Sequence, residues 1–174
     1  MGPYRAFPQT EGVLDIFETI VAKAAGISAE NPLAGVLSGR GDILELTEKS
    51  HDAAVRPRHP GGLTHLERAA LARRISLLNN EEVLARHYEN LIGGVNEAIS
   101  DTRFDGGDDV RLQAIVRHTD LVAVDPKEAV SGDIAALQSA GIADADIVRL
   151  SQLIAFVSYQ IRLVAGLRLM KEAT

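Results

Sequence analysis

The chain has 174 residues, 46% of them hydrophobic and 24% charged, which suits one domain with a sizeable core. A formal net charge of −6 without a basic stripe excludes nucleic acid as an expected partner. Cysteine is absent, so thiolate nucleophiles, disulfides and cysteine-ligated metals are excluded outright.

With aromatics at 4%, the core must come from Leu, Ile, Val and Ala, a mix that favours close helix packing. Met1 to Thr10 contains Pro3 and Pro8 and lacks an apolar signal core, which argues against export. A cytoplasmic location without a membrane span is therefore expected.

In chain order, Val13, Ile16, Ile20 and Ala24 form one helical stripe, with Gly26 as its C-cap. Asn31-Pro32 predicts the start of a short helix, with Asn capping and Pro in the first turn. Ile43 and Leu46 predict another from about Asp42 to Ala54. The stretch 56–62, with Pro57, Pro60, Gly61 and Gly62, is the clearest break. It divides a helical lead-in, residues 1–60, from a core, residues 61–174, within one domain.

Thr64 and Glu67 carry the spacing of a capping box, opening a helix on Leu66, Ala70, Leu71, Ile75, Leu77 and Leu78. After Asn79-Asn80 a second helix runs on Leu84, His87 or Tyr88, Leu91 and Val95. Asp105 to Asp109 is a loop, and the next helix spans about Val110 to Val122. Pro126 starts a short helix to about Ala140. The final helix carries Ile147, Leu150, Ile154, Val157, Ile161 and Ala165. Arg149, Gln152, Gln160 and Arg162 interrupt it, as suits a buried or interface helix better than a bilayer span. The fold class is all-α. At an offset of 79 the ladder Leu71, Ile75, Leu78 overlays Leu150, Ile154, Val157. Related halves about a pseudo-twofold and a chance overlay of two amphipathic helices both stay open.

Two stretches resemble a known family. Leu63 to Asn79 is similar to the helix preceding the active cysteines of AhpD-like peroxidases. Ala140 to Ile147, with Leu153 to Leu167 after it, resembles their closing helix, Arg162 and Gly166 falling in register. The resemblance is to the alkylhydroperoxidase-like, or carboxymuconolactone decarboxylase, superfamily. It implies an AhpD-like helical bundle and a homo-oligomer: dimer, trimer or hexamer.

The family's Cys-x-x-Cys-x-x-x-His motif falls here on Glu81, Leu84 and Tyr88, and its relay glutamate on Ala69. With all four positions substituted, thiol-dependent peroxide reduction is not expected. Two functional readings follow. One is an accessory or small-molecule-binding oligomer, pairing with itself or with a cysteine-bearing relative. The other is a cysteine-independent acid/base enzyme for a small carboxylated substrate, with Glu81, His87 and Tyr88 as catalytic candidates.

Each candidate also has a plain structural reading. Glu81 and Glu82 complement a helix N-terminus, and His87 packs half-buried. Arg162, an anion-binding candidate, is expected to be buried and paired with Glu67 or Asp146. Glu67 is itself a binding candidate. The remaining histidines lack the spacing of a metal site, and no cofactor is expected.

Overall fold

Side-chain caps from Thr19, Thr64, Glu81 and Asp109 open four of the α-helices in the computed structural model, which describes residues 14–93 and 98–174. The described residues form eight α-helices and three 3-10 turns. Thr19 opens α1 (Ile20–Ala25) by accepting from the Ala22 amide, and Gly26 closes it at φ 67°, a left-handed cap that glycine adopts without strain. The expected single stripe is thus divided, because Ile16–Glu18 forms a separate 3-10 turn capped by Asp15. Val13 lies outside the described residues.

The next helix, α2 (Ala34–Ser38), starts later than Asn31-Pro32 predicts. Asn31 instead accepts from the Leu33 amide at 3.0 Å, a local turn that competes with helix entry. α3 spans Gly41–Val55, and the proline-glycine stretch after it breaks the chain as expected.

α4 (His65–Leu78) has the complete capping box, with Thr64 accepting from the Glu67 amide and Glu67 accepting from the Thr64 amide. α5 (Glu82–Ile92) follows after Asn80, whose φ of 58° makes the tight reversal. Val95 falls outside the described residues. α6 (Val110–Val124) is capped by Asp109. Pro126 starts only a 3-10 turn, Pro126–Glu128, and α7 (Ser131–Ser139) begins afresh beyond extended Ala129 and Val130.

The last helix, α8 (Asp144–Glu172), is 29 residues long, about 44 Å at an α-helical rise. His65 and Asp144, the first residues of α4 and α8, preserve the offset of 79. The echo ends there: Thr64 caps with its hydroxyl, Ala143 has no side-chain cap, and α8 continues where α4 turns into α5.

The core runs from Val21 to Leu167, with Leu71, Ile75, Leu84, Leu150, Leu153 and Val157 entirely or almost entirely enclosed. α8 lies along α1, α3, α4 and α6, burying the line Ile147, Leu150, Ile154, Val157, Ile161 and Val164. Its other side is open: Val148, Tyr159, Leu169 and Met170 are exposed. By length and composition alone α8 could cross a membrane.

Two buried arginines anchor the long connections. Arg68 donates to the carbonyls of Leu63, Ala54 and Pro60, tying the break to α4. Arg74 makes a two-pronged pair with Asp120 and donates to the carbonyls of Ile99, Asp101 and Thr102. Buried guanidinium groups need such full donor satisfaction.

Candidate functional site

α3, α5 and α8 bring a polar and aromatic cluster together inside the apolar core. On α3 the buried positions Leu44, Thr47, His51 and Val55 follow the helical period, so His51 points inward with 1% exposure. On α5 Leu84, Tyr88 and Ile92 face the core, and His87 sits half-buried at their edge. α8 contributes Phe156, Tyr159 and Gln160.

His51 and His87 face each other through their Nε2 atoms at 3.2 Å. The Oδ1 of Asp52 lies 3.4 Å from His51 Nδ1 and also accepts from the Arg56 guanidinium at 3.3 Å. With the Nδ1 proton of His51 on the Asp52 side, His51 Nε2 would accept and His87 Nε2 donate, an order Asp52–His51–His87. Tyr88 stacks on His51 at 5.9 Å and meets His87 edge-on at 5.2 Å. Its hydroxyl donates to Gln160 Oε1 at 2.5 Å. Phe156 closes the far side, edge-on to His51 at 6.1 Å.

Burial, and then the neighbouring His51, hold His87 down to about 4, so its ring is neutral at pH 7. Burial pushes the Tyr88 hydroxyl upward, and the nearby Glu48 carboxylate adds to the effect. Glu48 is itself raised by burial while accepting from the Ile20 amide at 2.6 Å. Asp52 is lowered, chiefly by its hydrogen bond from His51. The cluster thus sets two facing imidazoles, that of His87 neutral at pH 7, beside the carboxyl groups of Asp52 and Glu48.

The expected site residues separate. Glu81 caps α5 and forms a two-pronged pair with Arg168 at 2.6 and 2.9 Å, while Arg168 also donates to the Ala24 carbonyl. Glu81 therefore faces α8 through Arg168 rather than His87. Glu82, also read as helix-terminal, pairs with Arg86. Glu67 completes the capping box and pairs with Arg111 at 2.6 Å.

Arg162 corrects an expectation: it is exposed rather than buried. The two acids expected to hold it are engaged elsewhere, Glu67 by Arg111 and Asp146 by Arg149 and the Gly62 amide. The apolar run of α8 suggests burial all round, but the helix turns position 162 away from the core line of Ile161 and Val164. His87 and Tyr88 are the candidates that come together. His51 and Gln160 complete their surroundings from other helices, and neither stands in a sequence motif that singles it out.

Beside the cluster lies a cleft of about 340 Å³ between α3 and α8, lined by Ile43, Leu46, Thr47, Ala155, Phe156 and Tyr159. In it Thr47 Oγ1 and Tyr159 Oη share a hydrogen bond at 3.0 Å. Ile43 also borders a second groove of about 240 Å³, formed with Val36, Leu37, Leu163, Leu167 and Met170. A third, charged cleft of about 630 Å³ contains Arg74, Arg103 and Arg117. Each of these arginines already faces a carboxylate: Asp120, Asp101 and Asp133. Comparison with protein-family models, curated proteins and solved structures finds no match to this chain.

Proposed function

We propose that the chain is a cysteine-free, alkylhydroperoxidase-like protein that acts by binding and assembly, as a cytoplasmic homo-oligomer without thiol peroxidase activity. The observation that carries the reading is the apolar face shared by α2, α3 and α8. There Val36, Leu46 and Met170 stand exposed around two adjoining grooves. Contiguous apolar surface of this kind marks an interaction or ligand site. Gln160 on the inner side of α8, and Arg149, Arg162 and Arg168 along its length, suit a core-and-interface helix better than a lipid-facing one.

Light scattering coupled to size exclusion tests the assembly. The expected mass is a multiple of the 18.6 kDa chain, falling to one chain in a Leu46→Asp, Met170→Asp double variant. A wild-type monomer at all concentrations would sink this part of the reading. In parallel, thiol-dependent peroxide consumption should equal the protein-free control. Robust turnover would overturn the absence of thiol chemistry, which rests on a chain without cysteine.

A second reading, an acid/base enzyme for a small carboxylated substrate, is favoured by the order Asp52–His51–His87, in which His87 is a neutral base. Glu81 and Arg162 play no part in it. Turnover of a carboxylated lactone that disappears in His87→Gln would favour this reading over the first.

A further inference from the structure

Two imidazole nitrogens aimed at each other need something between them, because facing lone pairs repel. A shared proton meets that need, and so does a cation. At metal–nitrogen distances of about 2.0–2.1 Å, two adjacent ligand nitrogens stand about 2.9 Å apart at a right angle and about 3.4 Å apart at the tetrahedral angle. The Nε2 atoms of His51 and His87 are separated by 3.2 Å, inside that interval.

We propose that His51 and His87 form a two-nitrogen site for a divalent first-row metal ion, with Asp52 as its positioning residue. The Oδ1 of Asp52, 3.4 Å from His51 Nδ1, supplies the outer carboxylate that fixes the tautomer of a ligating histidine and leaves Nε2 as a lone pair. His87 turns its own Nε2 toward that atom and supplies the second nitrogen. Coordination moves its proton from Nε2 to Nδ1, with no net loss from the ring.

Access and surroundings also fit. His51 is enclosed, whereas half-buried His87 gives an entry side. Tyr88 and Phe156 wall the pair with ring faces and edges, and the Tyr88 hydroxyl is committed to Gln160. The charged groups acting on the pair are Glu48, Asp52 and Arg56 of α3. Among the described residues no group of three or more histidine, aspartate and glutamate side chains converges. The remaining coordination positions therefore belong to water or a small exogenous ligand. An imidazole-only donor set of this kind ranks Cu²⁺ above Ni²⁺ and Zn²⁺.

The test is a titration of the full chain with copper(II) chloride, followed by electron paramagnetic resonance and tyrosine fluorescence. One ion per chain is expected, with hyperfine coupling to two nitrogens and a fluorescence change from Tyr88. His87→Gln should remove one nitrogen from the spectrum and weaken binding at least about tenfold, and Asp52→Asn should weaken it about 10- to 100-fold while keeping both nitrogens. Circular dichroism checks that these half-exposed and exposed positions leave the helices intact. No saturable binding, a spectrum without nitrogen coupling, or unchanged affinity in His87→Gln would overturn the site. Unchanged affinity in Asp52→Asn would remove Asp52 from it.

Discussion

His87 is where the chemistry of one residue has a measurable consequence for the whole chain. An unfolded histidine titrates near 6.5, whereas folded His87 is held down to about 4. Between these values the unfolded chain binds the extra proton, so the contribution of His87 to stability is complete above pH 6.5 and is lost as pH falls toward 4. Allowing for its partial exposure, the loss is about 1–2 kcal/mol. His118 and Asp52, both lowered, act in the same direction, and raised Glu48 acts against them. Comparing wild type with His87→Gln isolates the histidine: urea unfolding at pH 7 and at pH 4.5 should show a smaller pH effect in the variant. An equal effect would place the titration elsewhere.

Glu81 makes a different point at the same scale. A carboxylate at a helix start reads as an acid/base candidate or as a dipole partner, and the sequence leaves both open. Its role depends on Arg168, 87 positions later, which donates to both carboxylate oxygens. Arg168→Ala would strand an almost fully buried carboxylate. Discounted for the arginine's partial exposure, the cost should be about 1–3 kcal/mol in a denaturant titration. A Glu81→Gln, Arg168→Met pair should recover much of that loss, because no charge remains buried.

At the scale of elements, local signals decide boundaries wherever the interacting groups are close in sequence. The capping box of α4 involves residues three apart, and Thr64→Ala should cost about 1 kcal/mol in thermal unfolding. Gly106 is set by a contact as well as by its backbone. It sits at φ 107°, and a Cβ there would fall on the backbone of Gln113 in the first turn of α6. Gly106→Ala should therefore cost more than Thr64→Ala, about 2 kcal/mol or more, with the loss seen as a lower midpoint of unfolding. A neutral outcome would mean the loop can be rebuilt without that close approach. Asn31-Pro32 shows the converse case: its helix-start signal is satisfied by a turn, and α2 begins only at Ala34.

At the scale of the molecule, α8 organises both the interior and the open face. Its inner line closes the core against α1, α3, α4 and α6, while its outer line joins α2 and α3 around two apolar grooves. Leu46 and Met170 are exposed, so charging them should alter monomer stability by no more than about 0.5 kcal/mol while dissociating the proposed assembly. A variant that stays associated would move the interface to another face.

The sequence by itself determined the helical class, most helix limits and the absence of thiol chemistry, since period, caps, glycine stops and composition are local properties. It also placed His87 and Tyr88 on one helix. Only tertiary structure decided what each of them meets. His51 and Gln160 reach the cluster from α3 and α8, across 36 and 72 positions of chain, and no local pattern encodes that distance. The orientation of Arg162 was decided in the same way. An apolar helix can be buried on any face, and the packing of α8 on its neighbours turned this position outward while leaving Gln160 within.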